Sequence, residues 1–209
     1  MTNRVDFDKY TSDYNLLLQE GTGFFSKNDA YFARYKVDLM RSRLTQPVKK
    51  ILEYGCGIGR NIPFIREAFP QAEIIGTDIS HASLEVARQD QPDIEFIIEG
   101  DEASSLCQFD LIFVAGVYHH VPVTERAHVS NLLYQRLNPF GNLFVFEHNP
   151  YNPVTRRIVS NCPYDDDAVL LQPKELRGHL SQAGFSNIHT EYCLFIPPSL
   201  TKLPNGLRR

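Results

Sequence analysis

Three glycines set two apart, Gly55-Cys56-Gly57-Ile58-Gly59, are the residues of this chain best able to bring bare backbone against a ligand. A carboxylate, Asp78, follows 19 positions after Gly59 within Thr77-Asp78-Ile79. That is close to the interval at which parallel α/β folds grip the two hydroxyls of a ribose. Further on, Glu99-Gly100-Asp101-Glu102 offers Asp101, or less specifically Glu102, as acceptor for an adenine amine. The glycine spacing is G-x-G-x-G, and Arg60 stands where a dinucleotide fingerprint wants a small residue. A P-loop lysine is absent as well. Glu53, Asp78 and Asp101 have little basic compensation nearby, which suits a ligand carrying an amine and a sulfonium cation better than a polyphosphate.

These residues need elements that carry them to one edge. Apolar runs over 50–54, 73–77, 94–98, 109–115 and 141–146 read as buried strands, and 62–68, 83–89 and 125–137 have helical period. Short apolar runs alternating with helices are what a parallel sheet covered on both faces requires. A Pro- and Asn-rich segment then runs to Pro173, followed by a helix over 174–183 stopped by Gly184 and a sixth strand over 188–195. Before the first strand, Tyr31, Phe32, Tyr35, Val37, Leu39, Met40 and Leu44 recur at helical intervals. Residues 1–46 are thus expected as a helical lead-in and lid, and 47–209 as a single globular unit.

At these residues the sequence resembles the class I S-adenosylmethionine-dependent methyltransferase family, from about Lys50 to Phe195. The later stretches Phe109-Asp110-Leu111-Ile112-Phe113-Val114-Ala115 and Leu137-Asn138-Pro139-Phe140-Gly141-Asn142-Leu143 resemble its fourth strand and the turn into its fifth. The resemblance implies an α/β fold with a doubly wound, mostly parallel Rossmann-like sheet and S-adenosylmethionine as cofactor. It assigns the methionine part to Glu53, Tyr54, Gly55, Cys56, Gly57 and Gly59. The ribose falls to Asp78 with Ile79, adenine to Asp101 or Glu102, and Ala115 borders the pocket. The family's usual seventh, antiparallel strand has no counterpart after Phe195, and an unpaired sheet edge invites a homodimer.

The resemblance also makes Val117-Tyr118-His119-His120-Val121-Pro122 the acceptor-facing loop. His119 and His120 titrate in the range a general base needs, and neighbours on extended backbone point oppositely. One is therefore expected to face the pocket, His119 slightly preferred, and the other to be structural. Glu147, His148 and Asn149 stand where substrate-side groups belong, or else hold a Pro-stiffened loop. Tyr10 and Tyr14 are candidate lid aromatics over a sulfonium, or packing residues. Pro163-Tyr164-Asp165-Asp166-Asp167-Ala168 is either an acidic loop near the acceptor or a capped helix start. His119, His120, Glu147 and His148 could ligate a metal, but no H-x-x-x-H spacing supports it and no metal is expected.

Composition narrows the partners. Net charge is −4, and no basic stripe exists that would neutralise many phosphates, so nucleic acid is disfavoured. Cys56, Cys107, Cys162 and Cys193 lack zinc or disulfide-framework spacing, and no apolar run suggests a signal peptide or membrane span. A cytoplasmic enzyme methylating oxygen or nitrogen of a small molecule is expected. The alternatives are a cofactor-binding protein without turnover and a nicotinamide-dependent oxidoreductase.

Overall fold

The computed structural model describes residues 5–11, 30–100, 103 and 106–193. Five strands, β1 (Lys50–Tyr54), β2 (Glu73–Asp78), β3 (Glu95–Ile98), β4 (Phe109–Ala115) and β5 (Leu137–Phe146), form one parallel sheet in the order β3-β2-β1-β4-β5. Helices α1 (Tyr31–Arg43), α2 (Ile62–Ala68), α3 (His81–Asp90), α4 (Arg126–Arg136), α5 (Pro153–Ser160) and α6 (Pro173–Ala183), with 3₁₀ turns at Phe7–Tyr10, Tyr118–His120 and Pro163–Asp165, complete the described elements. The strand order reverses between β1 and β4, so a crevice opens beyond their carboxyl ends.

Alternation along the strands divides the core in two. Ile51, Leu111 and Phe113 pack with Val37 and Met40 of α1, Ile62 and Ile65 of α2, and Leu84 of α3. Leu52, Ile112 and Val114 face the other way, onto Val129 and Leu133 of α4. The central strands are therefore covered on both faces, which is why β4 reads as a nearly unbroken apolar run. The one carboxylate in that run fixes position, since Asp110 Oδ2 accepts from the N–H groups of Lys49 and Lys50, at 2.8 and 3.1 Å, and aligns the start of β1 with β4.

The structure departs from expectation in three places. Residues 188–193 form no strand, and 194–195 lie outside the described residues. Alternating polarity there mimics a strand, but a strand also needs a partner ladder, and β5 pairs only with β4 among the described residues. The Pro- and Asn-rich segment contains α5, whose Asn152 side chain accepts from the N–H groups of Val154 and Thr155 and is followed by Pro153 at the first helical position. Tyr118–His120 is a 3₁₀ turn and not extended. No described helix is long and apolar enough to cross a membrane.

Candidate functional site

The glycine loop leaves β1 at the switch in strand order. Gly55 and Cys56 both donate to the carbonyl of Thr77, at 2.8 and 2.9 Å, which curls the loop over the end of β2. Gly55 has φ +70°, and a Cβ there would run into the Val117 side chain beyond β4. Glycine is required at this position by both backbone conformation and crowding. Gly57, at φ +53°, has no atom within 4 Å of where a Cβ would stand, so its face of the loop is open to a ligand.

Beneath the loop lies Glu53, at 1% exposure. Its Oε1 accepts from Asn61 Nδ2 at 2.6 Å, whereas Oε2 is buried with no hydrogen-bond partner. Burial pushes this carboxyl up to about 7, and Asn61 and the Lys36 ammonium only partly offset it. Burial likewise pulls Lys36 down to about 8 against the attraction of Glu53. An unpaired buried acceptor costs about 1–3 kcal/mol, and a ligand's ammonium beside it would recover that.

Asp78, at the tip of β2, ties the loop to the sheet. Oδ2 accepts from Gly57 N at 2.8 Å and Oδ1 from Ser80 N at 2.9 Å. Each carboxylate oxygen retains a further lone pair for a hydroxyl donor. Ser80 then caps α3 through Ser83 N, and its own hydroxyl donates to Asp8 of the lead-in. Asp8 also accepts from Ala82 N, so the 3₁₀ turn Phe7–Tyr10 is moored on the β2 side. Ile79, 43% exposed, projects beside it.

On the β4–β5 side, carboxylates and imidazoles interlock. Glu147 Oε1 accepts from Val117 N and Tyr118 N at 2.9 and 2.7 Å, and its Oε2 lies 2.6 Å from His119 Nδ1. His120 Nδ1 lies 3.0 Å from Asp167 Oδ1, and the other Asp167 oxygen accepts from Val5 N. Both Nε2 atoms approach Asp165 Oδ1, at 3.6 Å from His119 and 3.4 Å from His120. Burial opposes protonation of His119, but Glu147 and Asp165 overcome it and hold the ring charged up to about 9. Burial and the His119 charge together push the neighbouring His148 down to about 4. Hence near neutral pH His119 is a cation between carboxylates, and His148 is neutral.

The sequence-derived residues are thus distributed as follows. Glu53, Tyr54, Gly55, Cys56, Gly57, Gly59, Asp78 and Ile79 gather at the ends of β1 and β2, with Ala115 ending β4 alongside. Asp101, Glu102 and Tyr14 lie outside the described residues. The expected opposition of His119 and His120 is not found: the 3₁₀ turn sets their ring centroids 4.1 Å apart in one cluster. His148 joins them, with its centroid 4.9 Å from that of His119. Asn149 Oδ1 accepts from Tyr151 N and stiffens the loop, and the Tyr10 ring meets Tyr164 edge-on. Sequence reasoning missed Lys36, Asn61 and the direct role of Asp165 and Asp167. Only the last two had a signal, in the acidic run after Pro163.

Residues 52–143 match the model of a methyltransferase domain family. The chain is 29% identical over 114 residues to trans-aconitate 2-methyltransferase of Azoarcus sp., covering 54% of this chain and 44% of that protein. It is 31% identical over 154 residues to ribosomal RNA small subunit methyltransferase C of Pasteurella multocida, covering 69% of this chain and 42% of the relative. The chain therefore spans less than half the length of these curated relatives. Human N-acetylserotonin methyltransferase, solved in complex with S-adenosylmethionine, superposes with a TM-score of 0.65 at 18% identity, over 88% of this chain and 53% of that one.

Proposed function

We propose, this chain being a member of the class I S-adenosylmethionine-dependent methyltransferase family, that it binds the cofactor over the glycine loop and methylates oxygen or nitrogen of a small molecule. The observation that carries the reading is the pairing of a buried, unpartnered Glu53 oxygen with the open face of Gly57 and the anchored Asp78 carboxylate. Glu53 takes the ammonium of the methionine part, with Tyr54, Gly55, Cys56 and Gly59 shaping its bed. Asp78 accepts from the ribose hydroxyls, Ile79 and Ala115 close the sides, and Asp101 or Glu102 is the acceptor for adenine. When bound, S-adenosylmethionine supplies an electrophilic methyl on positively charged sulfur.

The chain's own contribution is then positioning, which by itself removes several kcal/mol, on the order of 7–11 in the best-oriented cases, from a bimolecular barrier. His119 and His120 in the loop after β4, fixed by Glu147, and His148 just beyond β5 are the acceptor-side groups of this reading, with Tyr10 and Asn149 at their margin. An amine acceptor needs no base for attack; a hydroxyl must lose a proton, and within this cluster only an uncharged ring such as His148 can receive it, His119 being already charged near neutral pH.

A small acceptor is favoured over nucleic acid by the net charge of −4 and the want of a basic stripe, even though one relative is a ribosomal RNA methyltransferase. The test is incubation of the protein with methyl-labelled cofactor and, in parallel, a small-metabolite extract or total RNA. Label in a small-molecule product is expected. Label in RNA, or in neither fraction, overturns the proposal.

A further inference from the structure

We propose that His119, His120 and Asp165 form a site for a divalent transition-metal ion of the zinc class. The three ligand atoms lie within 4.8 Å of one another. The two Nε2–Oδ1 separations, 3.6 and 3.4 Å, exceed the 2.7–3.2 Å range of good N–H···O hydrogen bonds. Those two separations match instead two edges of a coordination tetrahedron, since bonds of about 2.0–2.2 Å put neighbouring ligands roughly 3.3–3.6 Å apart.

The surroundings are those of metal-bound imidazoles. Each ring has its Nδ1 held by a carboxylate, Glu147 at 2.6 Å for His119 and Asp167 at 3.0 Å for His120. Metal binding displaces the Nε2 proton that His119 carries in the metal-free protein, and a carboxylate accepting from Nδ1–H then leaves each ring's lone pair on Nε2. The carboxylates are themselves fixed, Glu147 by two backbone N–H groups and Asp167 by Val5 N. Phe7 and Tyr164 meet the His120 ring edge-on and hold its orientation.

An independent sign is His120 Nε2, which is buried without a hydrogen-bond partner on a side chain only 10% exposed. An acceptor in that state calls for a cation. Glu147, Asp165 and Asp167 also bring three negative charges to two imidazoles, so a dipositive ion balances the cluster better than a single proton. Two histidines and one carboxylate leave a coordination position open, as in catalytic zinc sites, and an acceptor hydroxyl bound there would lose its proton more readily. The competitor is a proton shared between His119 and Asp165.

Metal binding is read without turnover and does not depend on the methyl-transfer proposal. The full chain, stripped with a chelator and dialysed, is titrated with Co2+ by visible absorption and with Zn2+ by calorimetry. One equivalent should bind, with the intense d–d bands of tetrahedral cobalt. Asp165→Asn and His120→Gln should each weaken Zn2+ binding at least tenfold, while Cys107→Ser, at an exposed thiol, leaves it unchanged. Should either histidine-cluster variant unfold, the other and the cobalt spectrum of the unaltered protein decide. No saturable binding, octahedral cobalt only, or affinity indifferent to both variants overturns the site.

Discussion

Glu147 reaches across from the end of β5 to hold both the backbone and the imidazole of the loop after β4: one oxygen accepts from Val117 N and Tyr118 N, and the other lies 2.6 Å from His119 Nδ1. Because Glu147 and His119 are both nearly inaccessible, at 10% and 2% side-chain exposure, this is a desolvated charge pair rather than a surface bridge. Glu147→Gln keeps the shape and removes the charge. It should cost about 3 kcal/mol in urea unfolding. A double-mutant cycle with His119→Gln should show coupling above about 1 kcal/mol. Additive single-variant effects would mean the contact has no such weight.

Gly55→Ala tests the close approach at the strand-order switch. The αL backbone alone costs a non-glycine residue about 1–2 kcal/mol, and the added methyl also meets Val117. A fall in melting temperature is expected together with loss of cofactor-product binding. Gly55→Ala/Val117→Ala, which clears the crowding, should recover part of the stability. No recovery in the double variant would leave backbone strain as the whole effect.

Glu53 makes the pocket pH-sensitive. Its folded-state carboxyl is raised by burial to about 7 from an ordinary value near 4.5, with Asn61 and Lys36 opposing and Asp78 adding to the rise. A raised carboxyl contributes stability that is full below about pH 4.5 and is lost as pH climbs through 7. Relative to Glu53→Gln, the ligand-free protein should therefore lose stability between about pH 5 and 7.5. An ammonium-bearing ligand favours the carboxylate, so S-adenosylhomocysteine should bind more tightly over the same rise, with a flatter profile in the variant. Parallel pH profiles for the two proteins would contradict the assignment.

Much of this was legible because the central strands carry their burial in their residue types. The run Phe109–Ala115 could hardly be anything but a covered strand, and Ile62–Ala68 keeps helical period between Asn61 and Phe69. The histidine–carboxylate cluster was less legible for a physical reason. His119, Glu147 and Asp165 come from three separate segments, and only the sheet and the turn after α5 bring them together. Alternation misled at 188–193, where polarity has a strand's period but no described ladder partner. The Asn152-Pro153 pair was a helix start that a Pro-rich composition concealed.

The most direct test is calorimetric titration of the folded protein with S-adenosylhomocysteine, beside Asp78→Ala. The unaltered chain should show saturable one-site binding, weakened at least tenfold in the variant, about 1.4 kcal/mol, because the carboxylate that anchors Gly57 is gone. Absence of binding heat across the temperatures at which the chain is folded, or equal affinity in both proteins, would contradict a cofactor site at the ends of β1 and β2.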